Sequence, residues 1–216
     1  MKKIILASLS PRRKELLAAV GLKFEIHPSC FEEKETHISP VHLALHNAIG
    51  KAQDIAKKYK NAIIIGVDTV VAYKKHIIGK PKNVSDAKRI LKLLNGTTHR
   101  VVSAVCVIDT AKNIVQTDTE ITYIEMDCIT DSEIAAYIRH GEGTDKAAGY
   151  AIQGIGGLFI KKIRGDYFNV VGLPMHKLKK LLEKAGVKII GIYLFYGCNF
   201  YLECIDGAHC VWSILR

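Results

Sequence analysis

The sequence predicts an α/β or α+β fold around a mostly central sheet, and three observations carry that prediction. Apolar runs of strand length, such as Ala62 to Tyr73, alternate along the chain with stretches of helical spacing, such as Val41, Leu45, Ala48, Ala52 and Ile55. Capping and stop residues punctuate the two kinds of segment. The 216 residues, 49% hydrophobic and 24% charged, suffice for one sizeable core or two small lobes of a soluble globular protein.

In chain order, Lys3 to Ser8 reads as a strand. Ser10 to Val20 reads as a helix with Ser10 as N-cap, Pro11 at its first position and Gly21 as its stop. Phe24 to His27 is a short strand running into the acidic loop Glu32-Glu33-Lys34-Glu35. Ser39-Pro40 starts the second helix, and the strand Ala62 to Tyr73 turns at Lys74-Lys75 into a short partner around Ile77-Ile78. Ser85 to Leu94 is a helix closed by Asn95-Gly96. Arg100 to Asp109 and Ile114 to Met126 are strands joined through Ala111-Lys112-Asn113. Thr130 and Glu133 form a capping box that opens a helix reaching Arg139. The glycine-rich stretch Gly141 to Gly172 holds expected strands at Leu158 to Ile163 and near Val170. A helix from Met175 to Lys184 and a closing strand from Val187 to Ile190 complete the body.

Formal net charge is +10, which favours an anionic partner: nucleic acid, an anionic membrane or a small phosphorylated ligand. The basic residues of the body lack interleaved aromatics, which argues against nucleic acid. The apolar stretch Ile4 to Leu9 is shorter than a secretory signal, and no apolar run is long enough to span a membrane. Six cysteines without a CxxC pair read as reduced thiols of a cytoplasmic protein. Beyond Gly191 the composition shifts to an aromatic, cysteine-rich extension over 192–216. Cys198, Cys204, Cys210 and His209 lie there, but their spacing is not a usual zinc pattern, and an extension that packs on the body or frays is the simpler reading.

Four segments hold charges that local structure does not explain. At Ser8 to Arg13, a turn and a helix N-terminus offer backbone N–H groups and two hydroxyls to an anion, with Arg12 and Arg13 beside them. Without a ligand, three cations in a first helical turn oppose the helix dipole, unless the arginines simply face water. Asp68 interrupts an apolar strand, where an unpaired carboxylate would cost several kcal/mol. It must pair with a cation, bind a metal or reach the exposed strand end. In Gly79-Lys80-Pro81-Lys82 the turn residues restrict the presentation of Lys80, although Gly-Lys-Pro is also an ordinary surface turn. Glu33 precedes the second helix, and Lys51 lies at the border of that helix's apolar stripe, able to lean toward a cleft or to cover the border. Cations for a polyphosphate and carboxylates for a metal or a water suit metal-assisted hydrolysis of a phosphoanhydride. There is no Walker A sequence and no nucleophile elbow.

ASLSPRRKELL, GVDTVV, GKP, DKAAGYAIQG and DYFNVVGLP, in this order over about residues 3 to 190, resemble the Maf family of nucleoside triphosphate pyrophosphatases. The resemblance implies an elongated, bent mixed sheet flanked by helices, two lobes around a central cleft, and kinship with the inosine triphosphate pyrophosphatases. It implies hydrolysis of a nucleoside triphosphate to monophosphate and pyrophosphate with a divalent cation, Mg2+ or Mn2+, held by Asp68 and Glu33. Asp68 is implied as the catalytic carboxylate, with Ser8, Arg12, Arg13, Glu33, Lys51, Lys80 and Gln153 lining the substrate cleft. Arg12, Thr69 and Gln153 stand where the dTTP/UTP branch carries Arg, Thr and Gln, and the 7-methyl-GTP branch carries Trp, Gln and Glu. Residues 1–191 are expected to form the pyrophosphatase unit, with neither nucleic acid nor membrane as partner and with a homodimer allowed. The rival readings are a pyrophosphatase for another non-standard nucleotide, in a house-cleaning role, and a nucleotide-binding regulator of cell division.

Overall fold

A computed structural model describes residues 2–33, 39–144, 146–189, 200–205 and 209–214. The elements follow as β1 (Lys3–Leu6), α1 (Pro11–Ala19), β2 (Glu25–Ile26), α2 (Pro40–Ala56), β3 (Ala62–Tyr73), β4 (His76–Ile78) and α3 (Val84–Leu94). Next come β5 (Thr98–Asp109), β6 (Ile114–Met126), α4 (Asp131–His140), β7 (Ile160–Arg164), α5 (Tyr167–Val171) and α6 (Met175–Lys184). One sheet runs in the order β2-β1-β3-β5-β6-β7, with β4 also on β3. β1 is parallel to β2 and β3, and the other pairs are antiparallel, so this is the expected mixed sheet flanked by helices.

Alternation along β3 decides what covers each face. Ala62, Ile64 and Val70 join a core with α2, while Ile63, Ile65 and Val67 join a core with Leu17 of α1 and Leu178, Leu181 and Leu182 of α6. Farther along, Val71, Val101, Ile124 and Met126 pack with α3, α4 and Phe159 into a third core. Between the second and third cores the sheet carries a buried polar belt of Ser103, Thr122 and Asn169, each with no exposed surface. Asn169 Nδ2 donates to Val101 O at 3.1 Å and to Thr122 Oγ1 at 2.9 Å, which ties that belt together where apolar packing stops, while its Oδ1 has no partner among the described residues. Two cores separated by this belt stand where two lobes were expected.

The first strand in the chain is short, and that fact creates the site. β1 pairs with Ala62 to Ile65 of β3, and β4 pairs with Val71 to Tyr73. Among the described residues no strand covers Gly66 to Val70 on that edge, so a gap opens in the sheet where Asp68 lies.

Several expected elements are corrected. The segment near Val170 is the helix α5, not a strand; Asp166 caps it by accepting from Phe168 N at 2.8 Å, and Gly172 ends it at φ 118°. Leu158 and Phe159 belong to a 3-10 helix, Ile155–Phe159, and the strand is Ile160–Arg164. Val187 to Ile189 form no strand: Val187 N is taken by Leu182 O at the end of α6, and Ile190 lies outside the described residues. Ser10 stands at the N-cap position of α1 without a side-chain cap bond. Its N–H instead donates to Ser8 Oγ at 3.3 Å. The capping box of Thr130 and Glu133 is present, and Gly141 stops α4 at φ 81°. Past the body, β8 (Phe200–Ile205) and β9 (His209–Ile214) pair as a separate hairpin. Cys198 and the side chains of Cys204, His209 and Cys210 lie outside the described residues.

Candidate active site

The gap in the sheet opens into a cavity of about 470 Å3. Ser8, Arg12, Arg13, Glu33, Lys51, Asp68, Thr69, Lys80 and Gln153 all line it, so the structure brings every sequence-predicted site residue to one place.

At its floor, Asp68 points to the α2 face of the sheet. Gly66, two residues earlier, lets that helix come close: a Cβ there would meet Ala48 O and the Ala52 side chain. The approach puts Lys51 Nζ 2.8 Å from Asp68 Oδ1 and Asn47 Nδ2 3.2 Å from Oδ2. Lys51 also reaches Glu33 Oε1 at 2.7 Å, so one buried ammonium joins two carboxylates. The ion pair that an apolar strand demands of Asp68 is thus present, but it opens onto a cavity. Burial opposes the charge on Glu33, yet Lys51, Lys80 and Arg13 outweigh it and hold the carboxyl below its ordinary range. The loop carrying Glu33 is anchored to α2. Asp54 accepts from Ser29 Oγ at 2.9 Å and Cys30 N at 2.8 Å, and the Phe31 ring occupies the space above Gly50.

Thr69, the next residue on β3, points to the opposite face and meets Arg13. The Arg13 guanidinium donates to Gly172 O at 2.9 Å, Ser8 Oγ at 3.0 Å and Thr69 Oγ1 at 3.1 Å. Burial pushes its pKa down, and the charges of Asp68 and Glu33 work against that. An arginine carries five N–H donors, so the guanidinium binds three parts of the fold and keeps donors for a guest. Thr69 Oγ1 also lies 2.8 Å from Ser103 Oγ, which ties the cavity wall into the buried belt. Arg12 is half-buried on the wall, and Lys14 is exposed.

The opposite wall is the segment from Lys146 to Gln153. Ala148, buried at φ 62°, donates its N–H to Gly79 O at 3.0 Å and so joins this segment to the loop that presents Lys80. The Tyr150 hydroxyl lies 2.7 Å from His99 Nε2. Burial lowers the His99 pKa to about 4, so the imidazole is neutral and the pair is a plain hydrogen bond.

Sequence reasoning missed Asn47, Phe31, Lys146 and Tyr150. Asn47 had a readable signal, since it precedes Lys51 by four residues on the buried face of one helix. The other three owe their place to loops that the cavity gathers.

Among the described residues, no three His, Cys, Asp or Glu side chains form a metal cage. Asp68 and Glu33 nevertheless both bring hard oxygen donors to Lys51 Nζ, at 2.8 and 2.7 Å. That donor set fits Mg2+ or Mn2+, which habitually take one or two carboxylates and complete their shell with phosphate oxygens and water. Among the described residues no helix is long and apolar enough to cross a membrane.

Comparison with known proteins places the chain in a family. Residues 3–185 match the family described as Maf-like protein. A dTTP/UTP pyrophosphatase of Ruminiclostridium cellulolyticum is 43% identical over 192 residues, covering 88% of this chain and 100% of the relative. Proteins of the same description from Dictyoglomus turgidum and Alkaliphilus oremlandii are 46% and 48% identical over 191 and 187 residues, covering 88% and 85% of this chain and 99% and 96% of theirs. Among solved structures, the Ham1 protein of Staphylococcus aureus aligns at 16% identity and a TM-score of 0.40 over 58% of this chain and 72% of its own, too loosely to bear on the argument. With a family match over most of its length and relatives of this identity, the chain belongs to the Maf-like protein family.

Proposed function

We propose that the protein hydrolyses dTTP and UTP to the nucleoside monophosphate and pyrophosphate, with Asp68 as the catalytic carboxylate. The observation that carries this reading is the Asp68–Lys51–Glu33 constellation at the floor of a cavity whose walls hold Arg12, Arg13 and Lys80. The names of the relatives support the choice of nucleotide, as do Arg12, Thr69 and Gln153 on the cavity wall.

A water attacks the α-phosphorus, the α–β phosphoanhydride bond breaks, and pyrophosphate leaves. Asp68 orients the water and takes its proton, with Glu33 beside it. Lys51 fixes both carboxylates, so neither has to reorganise when the triphosphate arrives. Arg12, Lys80 and the remaining donors of Arg13 bind phosphate oxygens. The Ser8 hydroxyl accepts from Arg13 and from Ser10 N, which leaves its own proton to donate to the ligand. Asp68 and Glu33 would hold a divalent cation, which would neutralise phosphate charge when bound. Gln153 offers a donor and an acceptor to a uracil or thymine edge.

Residues 1–191 are the catalytic unit in this reading. The family match ends at residue 185, and among the described residues β8 and β9 pair only with each other.

The test is pyrophosphate release from a panel of nucleoside triphosphates, with and without Mg2+, for the wild type and Asp68→Asn. dTTP and UTP are expected to lead the panel, and the variant to lose about a thousandfold or more in turnover. A comparably active Asp68→Asn protein would sink the assignment, and a panel led by a purine nucleotide would move it to another substrate.

A further inference from the structure

We propose that Glu142 is a positioning residue that, with Tyr137, holds the Gln153 loop in the shape that reads the nucleobase. This inference rests on the pyrimidine-triphosphate reading above and names a residue that reading does not use.

Gln153 is exposed and sits on an irregular segment, so its own backbone provides little to fix its direction. The fixing comes from the end of α4. Gly141 stops that helix in the left-handed region and turns the chain back, so that Glu142 faces the loop. Glu142 Oε1 then accepts from Ile155 N at 3.0 Å, and Oε2 accepts from Gly156 N at 2.9 Å. One turn before the end of α4, the Tyr137 hydroxyl accepts from Ala151 N at 3.2 Å and itself donates to the Glu142 carboxylate. The loop is therefore hung on both sides of Gln153 by two side chains that bond to each other.

The glycines around Gln153 are cut to the same clamp. At Gly154, φ is 156°, and a Cβ would collide with the Glu142 carboxylate. At Gly156 a Cβ would stand 2.9 Å from the Tyr137 hydroxyl and 2.6 Å from Ala151 O. Side chains at either position would push the clamp off the loop, so sequence and geometry agree on a close approach here. Tyr137 is buried against Phe159, with ring centroids 5.1 Å apart, which makes it a rigid post. Neither Glu142 nor Tyr137 lines the cavity, so both act on a ligand only through the loop.

The experiment compares UTP with ribose 5′-triphosphate, which carries the phosphates and no base. Steady-state turnover is measured for the wild type, Glu142→Ala, Gln153→Ala and the double variant. Glu142→Ala is expected to lower kcat/KM for UTP about tenfold, mainly through KM, and to leave the abasic substrate within about twofold. In the double variant it should add nothing to the loss from Gln153→Ala, since both remove one contact. Glu142→Gln, which keeps the size and one acceptor oxygen, should fall between wild type and Glu142→Ala.

Equal losses on both substrates, or fully additive losses in the double variant, would overturn the proposal. Amide exchange supplies an arm that needs no turnover. The Ile155 and Gly156 N–H groups should exchange at least about tenfold faster in Glu142→Ala while those of β5 stay protected, and unchanged rates at both positions overturn the clamp. A wild type inactive on UTP and the abasic substrate alike would overturn the hydrolase reading, and exchange would then judge the clamp alone.

Discussion

The two walls of the cavity are built in opposite ways. The wall from Ser8 to Arg13 starts at the end of a buried parallel strand and is braced from within by one of its own cavity-lining groups, Arg13. The wall from Lys146 to Gly156 contains no long element and is braced from outside by His99, Gly79, Tyr137 and Glu142, none of which lines the cavity. The difference teaches where each wall can be damaged. In the proposed function the first wall binds phosphate and needs fixed positive charge, which a guanidinium can supply while also stapling the fold. The second wall would read the base and needs a side chain at a set angle, which can be enforced at a distance.

Of the two walls, the first should give the larger effect when broken. Arg13→Lys keeps the charge but can satisfy at most part of the three contacts at Gly172, Ser8 and Thr69. It should cost about 3 kcal/mol of stability, the scale of two lost charge-assisted hydrogen bonds, together with about a hundredfold in kcat/KM. Urea unfolding and turnover of UTP, measured on one preparation, check both, and a lysine variant with wild-type values would remove Arg13 from its bracing role.

A smaller and pH-dependent effect should come from the second wall. His99 is neutral when folded, with its pKa lowered from 6.5 to about 4 by burial. The unfolded chain therefore binds more protons than the folded one between those values. The stability involved is whole above pH 6.5, falls as the pH drops toward 4, and amounts to about 3 kcal/mol at most. Urea midpoints at pH 7.5 and pH 4.5 should separate strongly for the wild type and less for His99→Gln. Equal separations would show that acid sensitivity arises elsewhere.

The smallest effect is expected from the region that belongs to neither wall. Truncation after Gly191 should leave turnover of UTP within about twofold, since among the described residues none beyond Gly172 lines the cavity. A large loss of activity would place the extension in the working enzyme.

Much of the fold could be read from residue patterns. The long strands and the capped helices were visible because periodicity and capping are local, repeated signals. The helix at Val170 was not. Its short apolar run fits either element, and what selects the helix is Asp166 at one end and Asn169 satisfying the carbonyl of Val101 across the belt. The closing strand at Val187 failed for a related reason: an apolar stretch pairs only if an edge is within reach, and here the end of α6 takes its N–H.

The sequence by itself determined the chemistry available: an isolated carboxylate in an apolar strand, cations at a helix start and in a proline-locked turn, and motifs in family order. Only the tertiary structure decided how these groups share the work. The gap left by the short β1 makes both faces of β3 open to one ligand, so neighbours that alternation sends apart, Asp68 and Thr69, line the same cavity. It also joined Lys51 to two carboxylates, turned Arg13 into a staple and put Glu142 behind Gln153. Those assignments depend on contacts between residues far apart in the chain, where spacing along the sequence says nothing about distance in space.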